Sequence, residues 1–171
     1  IEDAADLESL SDWLGGGGCP PVCLEAVRSR IAVLSEVGQQ VLLAMSFGAS
    51  ATTELIDVLQ LDDDEALGQA IVELEDEGLL TADGGDVIPL VAEAATQLQP
   101  PIERRRHHRL YADVLEQRGG SSVARAEHLL NAEAPPIELA PVCLAAADEL
   151  MIDAPTLALD WIDRGAEAGL A

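Results

Sequence analysis

The chain contains no lysine. All nine of its cationic residues are Arg, and they face 32 Asp and Glu, for a formal net charge of -23 at pH 7. That balance disfavours nucleic acid and anionic membrane surfaces as partners and favours solubility. A GC-rich coding bias accounts for the missing Lys better than adaptation to salt, because Ala is as over-represented as the acids. Aromatics are equally scarce, at 2% against an apolar fraction of 49%. The core must therefore be built from Ala, Leu, Val and Ile, and Ala and Leu favour helices. No apolar run approaches the roughly 20 residues of a membrane-spanning helix, and no charged-then-apolar leader opens the chain. A soluble, cytoplasmic protein is expected. A start at Ile1 and a stop at Gly169-Leu170-Ala171 inside a helical pattern suggest a piece of something larger.

Three cysteines, Cys19, Cys23 and Cys143, make an odd count that argues against a disulfide framework. Cys19 and Cys23 could begin a metal site, but no second Cys or His pair stands at zinc spacing to complete it. No metal ligands are expected. At 171 residues the chain can bury roughly 70% of its unfolded surface without staples.

What is present is organised around residues 51–89. This stretch reads as a short helix, a turn, a longer helix with a glycine stop, and a two-stranded ribbon closed by Asp83-Gly84-Gly85-Asp86, the element order of a winged helix. A helix-turn-helix of this kind ordinarily suggests a major-groove reader. The charges oppose that. Between 62 and 77, where a recognition helix would lie, stand eight carboxylates and no cation. DNA binders gain most of their affinity by neutralising phosphates, so the element reads as a winged helix used for protein contacts.

In chain order, Leu7, Leu10 and Leu14 predict a first helix that ends at the four glycines 15–18, a flexible joint. Cys23, Val27, Ile31 and Leu34 recur at helical spacing. Ser35 offers a cap for a helix carrying Val37, Val41, Leu42 and Met45. Thr52 or Thr53 caps the short helix, and Asp62 or Asp63 the long one, whose Leu67, Ile71 and Leu74 face inward. Gly78 supplies a left-handed stop. Leu79-Leu80 and Val87-Ile88 form the ribbon, and Pro89 begins a helix. Pro100-Pro101 separates it from a helix over 103–118, on which His107, Leu110, Tyr111, Val114 and Leu115 share a face. Three further helical runs, 123–131, 137–152 and 156–168, suggest helix-pair repeats. The expected organisation is an acidic helix and joint over 1–21, a winged-helix-like domain over 22–99, and a TPR-like helical-repeat domain over 100–171.

Several of these segments, LEAVRSRIAVLSEVGQQVLLAMSFGAS from Leu24, Gly78-Leu79-Leu80, IPLVAEAA from Ile88, and PPIERRRHHRLYADVLEQRG with ARAEHLLNA, resemble the middle of the large ATP-dependent regulators of the LuxR type, in the STAND class of signalling ATPases. The resemblance runs from Leu24 to the end. It implies a winged helix between a nucleotide-binding domain and a helical sensor arm, with a DNA-binding domain often at the C-terminus. No GxxxxGK[ST] phosphate loop or magnesium-binding strand occurs here. ATP is thus expected only in a neighbouring domain, and no cofactor in this chain. Family members usually carry His where this chain has Ile88, a departure that argues against direct nucleotide sensing by this module.

Two groups are candidate protein-interaction residues. Arg104, Arg105, Arg106 and Arg109 form the one dense positive patch, able to grip a phosphate, a carboxylate-rich partner or the acidic helix. The plainer alternative is a solvated helix end with surface ion pairs worth at most about 1 kcal/mol each. Glu75, Asp76 and Glu77 oppose the dipole at a helix C-terminus and so serve a partner or simply solubilise. His107 and His108 point about 100° apart and cannot chelate one metal as a pair; with His128 they suit packing. Ser121-Ser122 lies in a Gly-rich turn without a nucleophile elbow, and no catalytic residue is assigned.

The sequence therefore reads as a non-catalytic signalling and interaction module of a larger regulator, with the neighbouring ATPase and sensor domains, another protein or a second copy as partners. The alternatives are a DNA-binding winged-helix transcription factor and a small hydrolase.

Overall fold

Proline and glycine punctuate the chain where the helices begin and end. In the computed structural model, which describes residues 19–49, 52–59, 64–81 and 85–170, these are α1 (Pro21–Ile31), α2 (Glu36–Ser46), α3 (Thr52–Leu59), α4 (Asp64–Asp76), α5 (Pro89–Gln97), α6 (Pro101–Arg118), α7 (Ser122–Asn131), α8 (Pro136–Leu150) and α9 (Pro155–Leu170). The molecule is mainly helical. Proline occupies the first turn of α1, α5, α6 and α8, where its missing N–H costs no hydrogen bond and its fixed φ suits the helix. Gly78 and Gly119 follow α4 and α6 at φ 62° and 63°, a left-handed geometry that a side chain would strain. The expected first helix, the glycine joint at 15–18, Asp62 and Asp63 ahead of α4 and the turn at Gly84 lie outside the described residues, as do the side chains of Thr52 and Thr53.

The chain divides into two compact units, Ile1–Gln99 and Pro100–Ala171. In the first, α2 is the hub and packs against α3, α4 and α5, while α1 packs on α5. Its core is aliphatic: Val41, Leu42, Leu74 and Leu79 are essentially sealed from solvent. Ser35 caps α2, its hydroxyl accepting from the Gly38 N–H at 3.0 Å. That hydroxyl also donates to Glu73 of α4 at 2.7 Å, and the Ser35 backbone N–H donates to the same carboxylate oxygen at 3.1 Å. Gly38 leaves room for this clasp, since a Cβ there would lie 2.6 Å from the Glu73 carboxylate and push it aside.

The ribbon expected after α4 does not form as strands. Among the described residues it amounts to one antiparallel bridge, Leu80 with Val87, flanked by Thr81 N–H to Asp86 O and Ile88 N–H to Leu79 O. Ten residues separate the helix stop at Gly78 from the helix start at Pro89, and among the described residues the pairing of the two arms does not extend beyond this bridge and its two flanking hydrogen bonds. Leu79, Leu80 and Val87 are nevertheless buried, so the arms work as core plugs.

In the second unit, turns of three or four residues join α6 to α7, α7 to α8 and α8 to α9. Connections this short fold each helix back along its predecessor, and each helix packs on the next in sequence. Small residues make the close approach possible. Ala126, Cys143 and Ala146 are fully buried beside Leu129, Val142 and Trp161, and a Cβ at Gly165 would stand 3.1 Å from that of Cys143. On α6 the buried face centres on Tyr111 and Ala112, which leaves Leu110, expected on the packing face, 37% exposed at its edge.

Candidate functional site

The arginine-rich turns of α6 do not form one uniform positive patch. Arg105 is ion-paired to Glu133, in the turn between α7 and α8, and Arg109 to Glu138 at the start of α8. Arg109 also reaches Asp113 at 3.4 Å. These two arginines thus tie α6 to parts of its own unit. Arg106 is different, 81% exposed and only 3.9 Å from Glu103, one turn earlier on its own helix. Arg104 is half-buried. Glu133 holds a left-handed conformation at φ 53°, rare for a residue with a side chain. Glu75 and Asp76 are exposed and Glu77 is half-buried. Glu77 contributes through its backbone, whose carbonyl accepts from Arg30 Nη1 at 2.8 Å and ties the C-terminus of α4 to α1.

Three groupings escaped the sequence. The first is a histidine pair: His108 of α6 and His128 of α7 meet Nδ1 to Nδ1 at 3.0 Å, with the His128 ring stacked 5.5 Å from that of Tyr111. One ring donates and the other accepts, which requires at least one neutral imidazole. Burial disfavours the cationic form of both and, with the neighbouring His108, pushes His128 down to about 4. A signal existed. His108 and His128 stand eleven and nine residues either side of the Gly119 turn, so a helical hairpin brings them level.

The second is a cap supplied from another helix. Glu149 of α8 accepts from the Ser121 hydroxyl at 2.7 Å and the Ser122 N–H at 2.6 Å. These bonds hold its carboxyl below the usual range. Ser121 in turn accepts from Ala124 N–H, so the serine pair finishes the N-terminus of α7.

The third is a cavity of about 450 Å³ between α6, α7 and α8. Arg109, Asp113 and Glu116 enter it from one face of α6, Arg125 from α7 and Glu138 from α8, with Leu129 and Val142 as apolar wall. Arg125 Nη2 pairs with Glu116 at 2.6 Å, yet its Nε is buried with no hydrogen-bond partner. An unmet buried donor costs about 1–3 kcal/mol. No pattern of spacing announces such a site, because its residues come from three helices.

All three cysteines are free thiols. Burial, and then the neighbouring Cys23, raise the Cys19 thiol above its ordinary range, which makes it less reactive. Among the described residues, no group of three or more His, Cys, Asp or Glu is placed to hold a metal ion, and no helix is long and apolar enough to cross a membrane. No family model, curated protein or solved structure matches this chain.

Proposed function

We propose that this chain is a non-catalytic signalling and interaction module of a larger ATP-dependent transcriptional regulator of the LuxR type, working in the cytoplasm. In this reading the first unit is a reduced winged helix and the second opens a TPR-like sensor arm. The observation that carries the proposal is the surface of α4. Asp64, Glu65, Glu75 and Asp76 are exposed at the position of a recognition helix, and α4 has no cation of its own. Phosphates would be repelled there, whereas an arginine-bearing protein surface would be attracted. The cavity of the second unit supports binding over catalysis. His128, the imidazole most displaced from its ordinary range, does not line it.

Switching would proceed by a change in docking of a rigid unit against the neighbouring ATPase domain. Arg104 and Arg106 are the residues to test, because Arg105 and Arg109 already brace their own unit. Charge reversal with Arg104→Glu and Arg106→Glu in the intact polypeptide is expected to shift transcriptional output or nucleotide turnover at unchanged protein level. If both stay at the unmodified value, the arginine patch has no part in switching.

A further inference from the structure

Helix α8 is apolar on more sides than its neighbours cover. Leu139, Val142, Cys143, Ala146 and Ala147 are buried in the core of the second unit. The opposite face carries Ile137, Pro141, Leu144 and Ala145 and, just past the helix end, Met151 and Ile152, all of them exposed. Ile137 and Ile152 are 84% and 90% exposed, and Leu144 and Met151 just over half. Steps of four, three, four and three residues lead from Ile137 through Pro141, Leu144 and position 148 to Met151, the spacing of a helix-packing seam. At 1.5 Å per residue the row is about 20 Å long. A helix that is apolar all round is ordinarily buried, and a contiguous exposed apolar surface marks a contact site. The first unit has no such row among its described residues, where Val22, Val33 and Val72 are exposed singly.

One charged side chain interrupts the row. Of the carboxylates of α8, Glu138 is paired with Arg109, and Glu149 is held by Ser121 and Ser122. Asp148, at the centre of the exposed face, has no ion pair among the described residues. A cover that brought no cation would strand this carboxylate, at a cost of several kcal/mol. A second copy is such a cover. Antiparallel pairing about the centre of the row would set each Asp148 against the other copy's Pro141, between chains of formal charge -23 each. A bilayer would meet the isoleucines with acyl chains but offers no fixed cation in their midst. We propose that this face of α8 docks an amphipathic helix of a partner protein. Leucine-type side chains at helical spacing on that helix pack on Ile137, Leu144 and Met151, and a Lys or Arg set within its apolar face pairs with Asp148. Recognition of this kind draws affinity from the apolar anchors and register from the charge pair. The face belongs to the second unit and stands or falls apart from the role proposed for α4.

Fluorescence anisotropy of the whole chain with labelled synthetic helices tests it. The probe is a peptide of about 16 residues, long enough to span the row, with Leu along one face, a single Lys within that face and Gln elsewhere. Its twin carries Glu in place of the Lys. A single cation keeps attraction to the acids of the first unit small. The Lys probe is expected to saturate with a Kd below about 100 µM, and the Glu twin to bind at least about tenfold more weakly. Asp148→Lys, a change that suits a helix C-terminus, is expected to reverse that order. Ile137→Ser combined with Leu144→Ser is expected to weaken the Lys probe at least about tenfold with an unchanged far-UV circular dichroism spectrum. Should either variant fail to fold, the comparison of the two probes on the unmodified chain still decides. The proposal is overturned by no saturation up to about 1 mM chain, equal affinity for the two probes, an unchanged order in folded Asp148→Lys, or full affinity in the folded serine variant. It is also overturned if the chain dimerises at about 100 µM, or sediments with phosphatidylcholine vesicles, and the serine variant abolishes that association. The face would then belong to a second copy or to a membrane.

Discussion

The two units of this molecule handle charge in opposite ways. The first sets two arginines against twenty carboxylates, a formal -18, and the second sets seven against twelve, a formal -5. In the first, most of the acids among the described residues face solvent and the fold rests on a sealed aliphatic core, with Glu73 recruited as a clasp. In the second, core residues are smaller, many of them Ala, and carboxylates and arginines link helix to helix: Arg105 to Glu133, Arg109 to Glu138, Arg125 to Glu116 and Ser121 to Glu149. Net charge alone therefore says little about what a surface can do. Among the described residues, a partner meets a mainly anionic surface on one unit and a mosaic on the other.

The largest effects should come from the cores, one for each unit. Leu74→Ala and Trp161→Ala each empty a buried site, and such truncations cost about 2–5 kcal/mol. Hydrogen exchange should show the loss concentrated in the unit that carries the substitution. Equal loss of protection in both units would mean that they unfold as one body and would erase the contrast.

Acid should separate them next. All three histidines belong to the second unit. The folded pKa of His128 is depressed to about 4, below its ordinary value near 6.5. The unfolded chain then binds more protons in that window, so stability is full above about 6.5 and is lost as pH falls toward about 4. Glu149, likewise depressed, adds a loss below the ordinary carboxyl range as pH falls through its folded value. His128→Gln should flatten the upper part of the second unit's melting curve against pH, and Glu149→Gln the lower part. If neither changes its slope, these contacts do not govern acid stability.

Gly38→Ala sharpens the comparison from the other side. The new methyl group would displace Glu73 from both the hydroxyl and the N–H of Ser35; the loss of two hydrogen bonds, about 2 kcal/mol, outweighs the roughly 1 kcal/mol that alanine gains over glycine inside a helix. The melting point of the first unit should fall, while Gly38→Ala combined with Glu73→Gln should cost little more than either change alone.

Salt should give the smallest effect, and one of opposite tendency in the two units. Raising it from about 0.1 to 1 M shortens the screening length from roughly 10 to 3 Å. This relieves self-repulsion in the first unit and weakens ion pairs in the second, by about 1 kcal/mol or less per pair. Parallel shifts of both transitions with salt would show that the charge contrast has no energetic consequence.

Much of the helical framework was legible because it is written in local signals. Ser35 as a cap, Gly78 as a stop and Pro89 as a start each act through backbone geometry within a few residues. The ribbon was misread because residue type signalled strand, whereas among the described residues the pairing is confined to the Leu80–Val87 bridge and the hydrogen bonds beside it. The site was less legible. Arginine clustering on α6 was plain, but its division between bracing and exposed residues depends on Glu133 and Glu138, almost thirty residues away and brought near by two turns. The histidine pair could have been found by counting outward from Gly119. Arg125 could not, since an unmet donor shows only once its surroundings are placed.

The measurement closest to the central claim is a fluorescence-anisotropy titration of the whole chain against a labelled DNA duplex at low salt. The anionic face of α4 predicts no rise in anisotropy even where electrostatic attraction is strongest. Tight binding that weakens steeply with added salt would contradict the account and return this helix to the major groove.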